Sequence, residues 1–150
     1  MIGKTMATSY QVRLASWDAD QAAIRAVREQ VFVIEQAVDP ELEWDGLDDS
    51  CDHAVVIGSD RSIVGTGRLV CAGSDGKIGR MAVLAEFRGK GAGMAILEFL
   101  VDLARSKGLQ RAVLNSQVHA LPFYERAGFV ATGPEFDEAN IPHRKMTLEL

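Results

Sequence analysis

The six residues RGKGAG, Arg88 to Gly93, place three glycines and two cations directly ahead of an apolar run. A chain of small residues entering a helix exposes backbone N–H groups that have no intrahelical partner, and the helix dipole adds partial positive charge there. Phosphate oxygens fit such a place. With Gly89, Gly91 and Gly93 and the small Ala92, an anion can approach the backbone closely, while Arg88 and Lys90 add charge at the rim. The Walker A pattern, GxxxxGK followed by Ser or Thr, is absent, and a Rossmann fingerprint begun at Gly89 and Gly91 would need glycine where Met94 stands. On its own the loop fits equally well a turn that only reverses the chain between strand and helix.

A second chemically charged stretch lies upstream. Between Asp39 and Asp52 stand seven carboxylates and no Lys or Arg. Such a loop would draw a cationic amine, with one carboxylate relaying its proton, or would simply stay solvated, the commoner fate of a charged loop. Asp45 is the carboxylate assigned to acceptor contact, and Trp44 beside it either caps an acceptor pocket or packs the loop down. Glu41, Glu43, Asp45 and Gly46 brush the calcium-loop pattern, but Glu replaces Asp at the first ligand and Asp52 is too short for the bidentate twelfth position. His53, His119 and His143 can each be considered as a base, because imidazole titrates near neutrality. Cys51 and Cys71 have no CxxC spacing, so no metal site is expected and reduced thiols are. Tyr124, judged from spacing alone, packs a short helix by its aromatic face.

The elements that must hold these residues follow from periodicity. Tyr10 to Leu14 predicts a short strand, and DADQAAIRAVREQVF an amphipathic helix carrying Ile24, Val27 and Val31, with Asp18 and Gln21 offset like a capping box. A long loop follows, with one helical turn near Phe32 to Gln36. HAVVIG, SIVGTGRLVC and KIGRMAVL, separated by turn-forming clusters, predict three antiparallel strands. Ala92 to Lys107 keeps a helical rhythm and stops at Gly108; Arg111 to Ser116 predicts a buried strand ending at Asn115, which bonds either substrate or backbone. A short helix with Pro122 in its first turn and a closing strand pair, about Phe129 to Thr132 and Arg144 to Leu150, complete the chain. The order predicts a single α/β domain over 1–150, with residues 1–8 a flexible tail. Its sheet is mixed and mostly antiparallel, and a central β-α-β crossover sets two strands parallel. Ligands in such sheets sit at the carboxyl ends of strands, where RGKGAG falls.

Bulk properties narrow the choice. The length of 150 residues suits one domain, and 47% hydrophobic with 25% charged residues is ordinary globular composition. A net charge of −5 argues against nucleic acid and anionic membranes as partners. The absence of a signal-peptide core or a bilayer-length apolar run leads to a cytoplasmic expectation.

RGKGAG, preceded by GRMAVL and followed about thirty residues on by FYERAGF, resembles the GNAT superfamily of N-acetyltransferases, whose motif is Arg/Gln-x-x-Gly-x-Gly/Ala. VFVIEQ, DGLD, LNSQ and IPH are similar to its ElaA/YjcF-like branch. The resemblance covers nearly the whole chain. It implies acetyl-CoA as cosubstrate, its pyrophosphate on the amides of Arg88 to Gly93 and its pantetheine arm along the backbone of Met81, Ala82 and Val83, where two parallel strands splay. It implies that Gln117, where many members have Asn, faces the cofactor, that Tyr124 is the acid protonating the departing thiolate, and that the Val83 N–H polarises the thioester. Asn115 is carried as a catalytic candidate, and Trp44, Asp45 and His143 as acceptor contacts. The implied activity is direct transfer of acetyl to an amine of a small or peptidic acceptor in a ternary complex, with pairing of two copies as such domains often show. The alternative is a non-catalytic acyl-CoA-binding module on the same fold.

Overall fold

The structure is a computed structural model describing residues 10–150; the predicted tail, residues 1–8, lies outside the described residues. Its frame is a meander of β-branched and small residues, β2 (Asp52–Ile57), β3 (Ile63–Ala72) and β4 (Asp75–Val83), with β1 (Gln11–Leu14) antiparallel to β2. Consecutive residues Ala54, Val55 and Val56 are all buried, so this sheet is covered on both faces. One cover is α1 (Trp17–Arg28), whose Val27, with Val31 beyond it, packs on Ala82. The other is α3 (Ala92–Ser106), whose Ile96, Leu97 and Leu100 join Val56, Val64 and Leu69 in the main core. Here α3 rides on glycine backbone: a Cβ at Gly67 would lie 2.8 Å from Ile96 Cγ2 and 3.0 Å from Leu100 Cδ1.

The crossover through α3 leads to β5 (Arg111–Gln117), parallel to β4; α4 (Leu121–Glu125) then leads to β6 (Val130–Glu138) and β7 (Ile141–Glu149). The sheet order is β1-β2-β3-β4-β5-β7-β6. The predicted α/β class, crossover and meander are therefore present.

Three local expectations are corrected. Asp18 and Gln21 form no capping box; Ser16 is the N-cap and its N–H donates to Asp20 Oδ2 at 2.9 Å. The turn expected near Phe32 continues α1 directly, as a π-helical segment Glu29–Glu35, and the following loop carries α2 (Pro40–Glu43), begun by Asp39, whose carboxylate accepts from the Glu41 N–H. The closing strands are longer than predicted, because GPEFDEAN reads as loop chemistry. Ala139 and Asn140 instead form the tight turn of a hairpin, with φ of 52° and 62°, and an irregularity between Thr132 and Phe136 absorbs Gly133 and Pro134 in this edge strand.

Candidate active site

β4 and β5 are in register only where Asp75, Gly76 and Lys77 meet Arg111, Ala112 and Val113. Beyond, β4 runs on to Val83 and β5 to Gln117, and a cavity of about 520 Å³ opens between Ile78 to Met81 on one side and Leu114, Asn115 and Gln117 on the other. The Leu84 N–H donates to Val64 O on β3, so strand alternation turns the amides of Val83 and, two residues back, Met81 away from β3 and toward this gap. A register shift between Thr66 and Arg68 marks a bulge opposite Arg80, which is held at φ 48°. That strained backbone swings the Arg80 guanidinium over the cavity, where Nη2 reaches Leu42 O and Glu43 O, each at 3.2 Å.

At the end of β4 the glycine loop enters α3. Gly89 and Gly91 sit at φ 77° and 89°, conformations that favour glycine, and a Cβ at Gly89 would meet nothing within 4 Å. Open backbone ahead of a fifteen-residue helix is the cradle that a pyrophosphate needs. Gly93 serves otherwise: a Cβ there would touch the Phe123 ring at 3.4 Å, so it lets α4 close on α3. Arg88, expected at the phosphate rim, donates Nε to Val83 O at 2.8 Å and forms a two-pronged pair with Glu35 at 2.7 and 3.0 Å. Lys90 is exposed and Ala92 buried.

Tyr124 lines the same cavity, its ring edge-on to Phe123 at 4.9 Å and to Phe129 at 6.2 Å. Burial pushes its phenol up to about 12. An unpaired strand edge and a half-buried phenol thus share one cavity, and the glycine loop follows the end of the same strand β4.

The acetyltransferase (GNAT) domain family matches residues 17–150. The chain belongs to the GNAT family. It is 40% identical to the uncharacterized N-acetyltransferase YjcF of Bacillus subtilis over 121 residues, 80% of this chain and 86% of that protein. A solved acyl-CoA N-acyltransferase from Pseudomonas aeruginosa superposes with a TM-score of 0.82 at 28% identity, covering 93% of this chain and 99% of that one. Escherichia coli ElaA shares the fold, with a TM-score of 0.81 at 22% identity, 92% of this chain and 98% of that one. This GNAT domain is accordingly an acyl-CoA-dependent N-acyltransferase, with YjcF among its relatives.

In this GNAT domain the carboxylate loop is neither a solvated face nor a free trap for amines. Glu43 and Asp48 are 3% and 6% exposed. Arg28, fully buried on α1, donates Nε to Glu43 Oε2 at 2.6 Å and Nη1 to Asp48 Oδ1 at 2.7 Å. Arg68 on β3 bridges Asp48 at 2.9 Å and Asp45 at 2.5 Å, and Arg80 adds Asp45 at 3.2 Å. Asp45 lines the cavity, but two guanidiniums already occupy it, so its assignment as a free amine contact is corrected. Trp44 is corrected as well: it lies under Arg25 and Arg28, 5.2 and 4.8 Å from its ring centre, packing the loop down rather than capping the cavity. His143, by contrast, lines the cavity, and so do Asn115, which donates to Glu138 Oε1 at 3.1 Å, and Gln117, which donates to Gln36 Oε1 at 3.0 Å.

The hydrogen bond from Arg68 holds the Asp45 carboxyl well below the usual carboxylate range. Because the folded value is the lower one, the stability contributed by Asp45 is fully present above its unfolded value, about 4, and is lost as pH falls below it. Asp45→Asn should therefore lower the urea midpoint at pH 7 and flatten its decline below about pH 4. A decline parallel to that of the unaltered chain would show that the pair contributes nothing to acid sensitivity.

Sequence reasoning missed Arg28, Arg68, Arg80, Glu35, Gln36 and Glu138. A signal existed for two of them: Arg68 interrupts an apolar strand run and Arg28 falls one turn after Ile24 on the buried side of α1, and a buried guanidinium requires a carboxylate. His53, two residues from Cys51, was also overlooked as its neighbour; their ligand atoms and one from Asp48 lie within 4.8 Å of one another. His53 Nε2 is 2.8 Å from Asp48 O, so it carries a proton, Asp48 is bonded by two arginines, and burial pushes the Cys51 thiol up to about 11. That chemistry does not favour a cation. Among the described residues no helix is long and apolar enough to cross a membrane.

Proposed function

We propose that this GNAT domain transfers an acetyl group from acetyl-CoA to an amine by direct attack within a ternary complex. The observation that carries this reading is the splay between β4 and β5, which leaves a cavity lined by Tyr124, with the glycine loop following the end of β4. In this reading the amides from Arg88 to Gly93 hold the pyrophosphate, and the backbone of Met81, Ala82 and Val83 pairs with the pantetheine arm, with Gln117 opposite. The Val83 N–H stabilises the developing oxyanion, a fixed dipole that needs no reorganisation during reaction. Tyr124 donates its proton to the departing thiolate. The amine enters from the cavity between β4 and β7. A cytoplasmic setting, where the free thiols Cys51 and Cys71 stay reduced, accords with this assignment.

The test is CoA release from acetyl-CoA across a panel of amines, with CoA affinity measured in parallel by calorimetry. Turnover on at least one amine is expected. Gly91→Glu should raise the Kd for CoA by at least about tenfold, because a side chain is strained at this left-handed position and its charge opposes phosphate. An unchanged Kd would move the phosphate site elsewhere, and tight acetyl-CoA binding without turnover on any amine would make the domain a binding module.

A further inference from the structure

The cavity wall opposite β4 contains a buried titratable group that acetyl transfer, as described so far, does not use. His143 is 6% exposed and faces Gln117 across the β5–β7 ladder and Phe136 across the β6–β7 ladder, with the Phe136 and His143 rings stacked at 6.1 Å and 24°. Its Nδ1 lies 2.6 Å from Ile141 O. A carbonyl only accepts, so Nδ1 carries a proton, and in its neutral form the ring presents the lone pair of Nε2. Glu138 Oε2 stands 3.8 Å from that Nε2, too far for a direct bond, while Glu138 Oε1 is fixed by Asn115. In that form of the ring two acceptors, a lone pair and a carboxylate, face each other across the gap. A group with two donors bridges both; water is one, and an alkylammonium, whose nitrogen can sit about 2.8–2.9 Å from each, is the one that also balances the Glu138 charge.

The other ionisable groups around the cavity do not compete for this place. Glu43 and Asp45 are matched by Arg68 and Arg80. Tyr124 on α4 stays a neutral phenol, its proton held by burial, and Lys77 on β4, which also lines the cavity, offers no acceptor for an ammonium. Glu138, 47% exposed at its side chain, is reachable from solvent.

Building on the N-acetyltransferase reading, we propose that Glu138, oriented by Asn115, docks the acceptor as a protonated alkylamine and that His143 Nε2 removes its first proton. The balance is complete. R–NH₃⁺ gives one proton to Nε2, the freed nitrogen lone pair forms the C–N bond to the thioester carbon, and the C–S bond breaks. The second nitrogen proton replaces the one Tyr124 gives to the thiolate, and His143 returns its proton to water. The products are the acetamide, CoA–SH and one H⁺.

The experiment uses the full chain with propylamine and 1,4-diaminobutane as protonated acceptors and aniline as an acceptor that is neutral at pH 7. His143→Asn keeps a donor for Ile141 O and removes the base. It should lower kcat/KM for the alkylamines by about 10²–10⁴ at pH 7, abolish the acidic limb of the pH profile and leave the CoA Kd within about twofold. The deficit should shrink below about tenfold with aniline, which brings no first proton to remove. Glu138→Gln should raise KM for the alkylamines about tenfold with kcat little changed, a loss of docking rather than chemistry. An acidic limb retained in His143→Asn, with kcat/KM within threefold, overturns the proposal while leaving the acetyltransferase reading intact. Failure of the unaltered protein to acetylate any amine overturns both.

Discussion

Tyr124→Phe should lower kcat by about 10²–10⁴ while leaving the affinity for CoA unchanged. The phenol lines the cavity and keeps its proton at neutral pH, because burial pushes it up to about 12. A thiolate leaving group has an ordinary pKa of about 8.5, so a positioned phenol can protonate it only as the C–S bond breaks, which confines its benefit to the transition state. Phenylalanine keeps the edge-on contacts with Phe123 and Phe129, so the fold should be preserved and the loss should appear in kcat rather than in thermal stability. Single-turnover measurement with saturating acetyl-CoA separates chemistry from product release. A loss smaller than threefold would mean that water protonates the sulfur and that Tyr124 only packs its helix.

The largest effect on stability should come from Arg28→Ala, a loss of about 3–5 kcal/mol. Arg28 is fully buried and binds the Glu43 carboxylate, the Glu43 carbonyl and the Asp48 carboxylate, with the Trp44 ring at 4.8 Å. Burial pushes the Glu43 carboxyl up, against the pull of Arg28, so without that arginine only Arg80, at 3.3 Å, remains beside a carboxylate that burial already disfavours. Asp48 differs: burial opposes its charge, yet Arg28 and Arg68 together outweigh burial and hold it below its ordinary range. For a chain of this size, 1 kcal/mol corresponds to about 2–4 °C, so a fall in Tm of about 10 °C is expected. Arg28→Lys, which keeps the charge but not the fork, should fall between. If urea unfolding shows less than about 1 kcal/mol of loss for Arg28→Ala, the arginine cluster does not anchor the loop.

Local signals in the sequence reach the backbone around the cavity, but not the ion pairs that close over it. The backbone of the site was legible because its signals are local: glycines before an apolar helical rhythm, β-rich runs between turn clusters, a helix joining two strands. These placed the loop at Gly89 and Gly91 and the crossover that splays β4 from β5. The carboxylate loop was misread because its partners are distant in sequence: Arg68 lies 23 residues from Asp45 and Arg80 lies 37 from Glu43. A loop with no basic residue of its own is exposed or internally neutralised, and only tertiary structure decides between them. Glu138 was hidden for another reason. Gly133, Pro134 and Pro142 look like loop chemistry, so the long hairpin that brings Glu138 beside His143 was cut short.

The brief register between β4 and β5 has a mechanical consequence. Strands β1 to β4 form one half-sheet and β5, β7 and β6 another, and within the sheet only the pairs from Asp75–Arg111 to Lys77–Val113 stitch them together. Such a seam is the weak line within the sheet, and the two halves are held together mainly by the core beneath α3 that spans both. A ligand lying along the seam and bonding to both edges acts as a temporary stitch, adding about 2.7 kcal/mol when present at a hundred times its Kd. In a cell, the lifetime of this protein against proteases should then follow the supply of acyl-CoA, so that the metabolite sets how much enzyme persists as well as how fast it works.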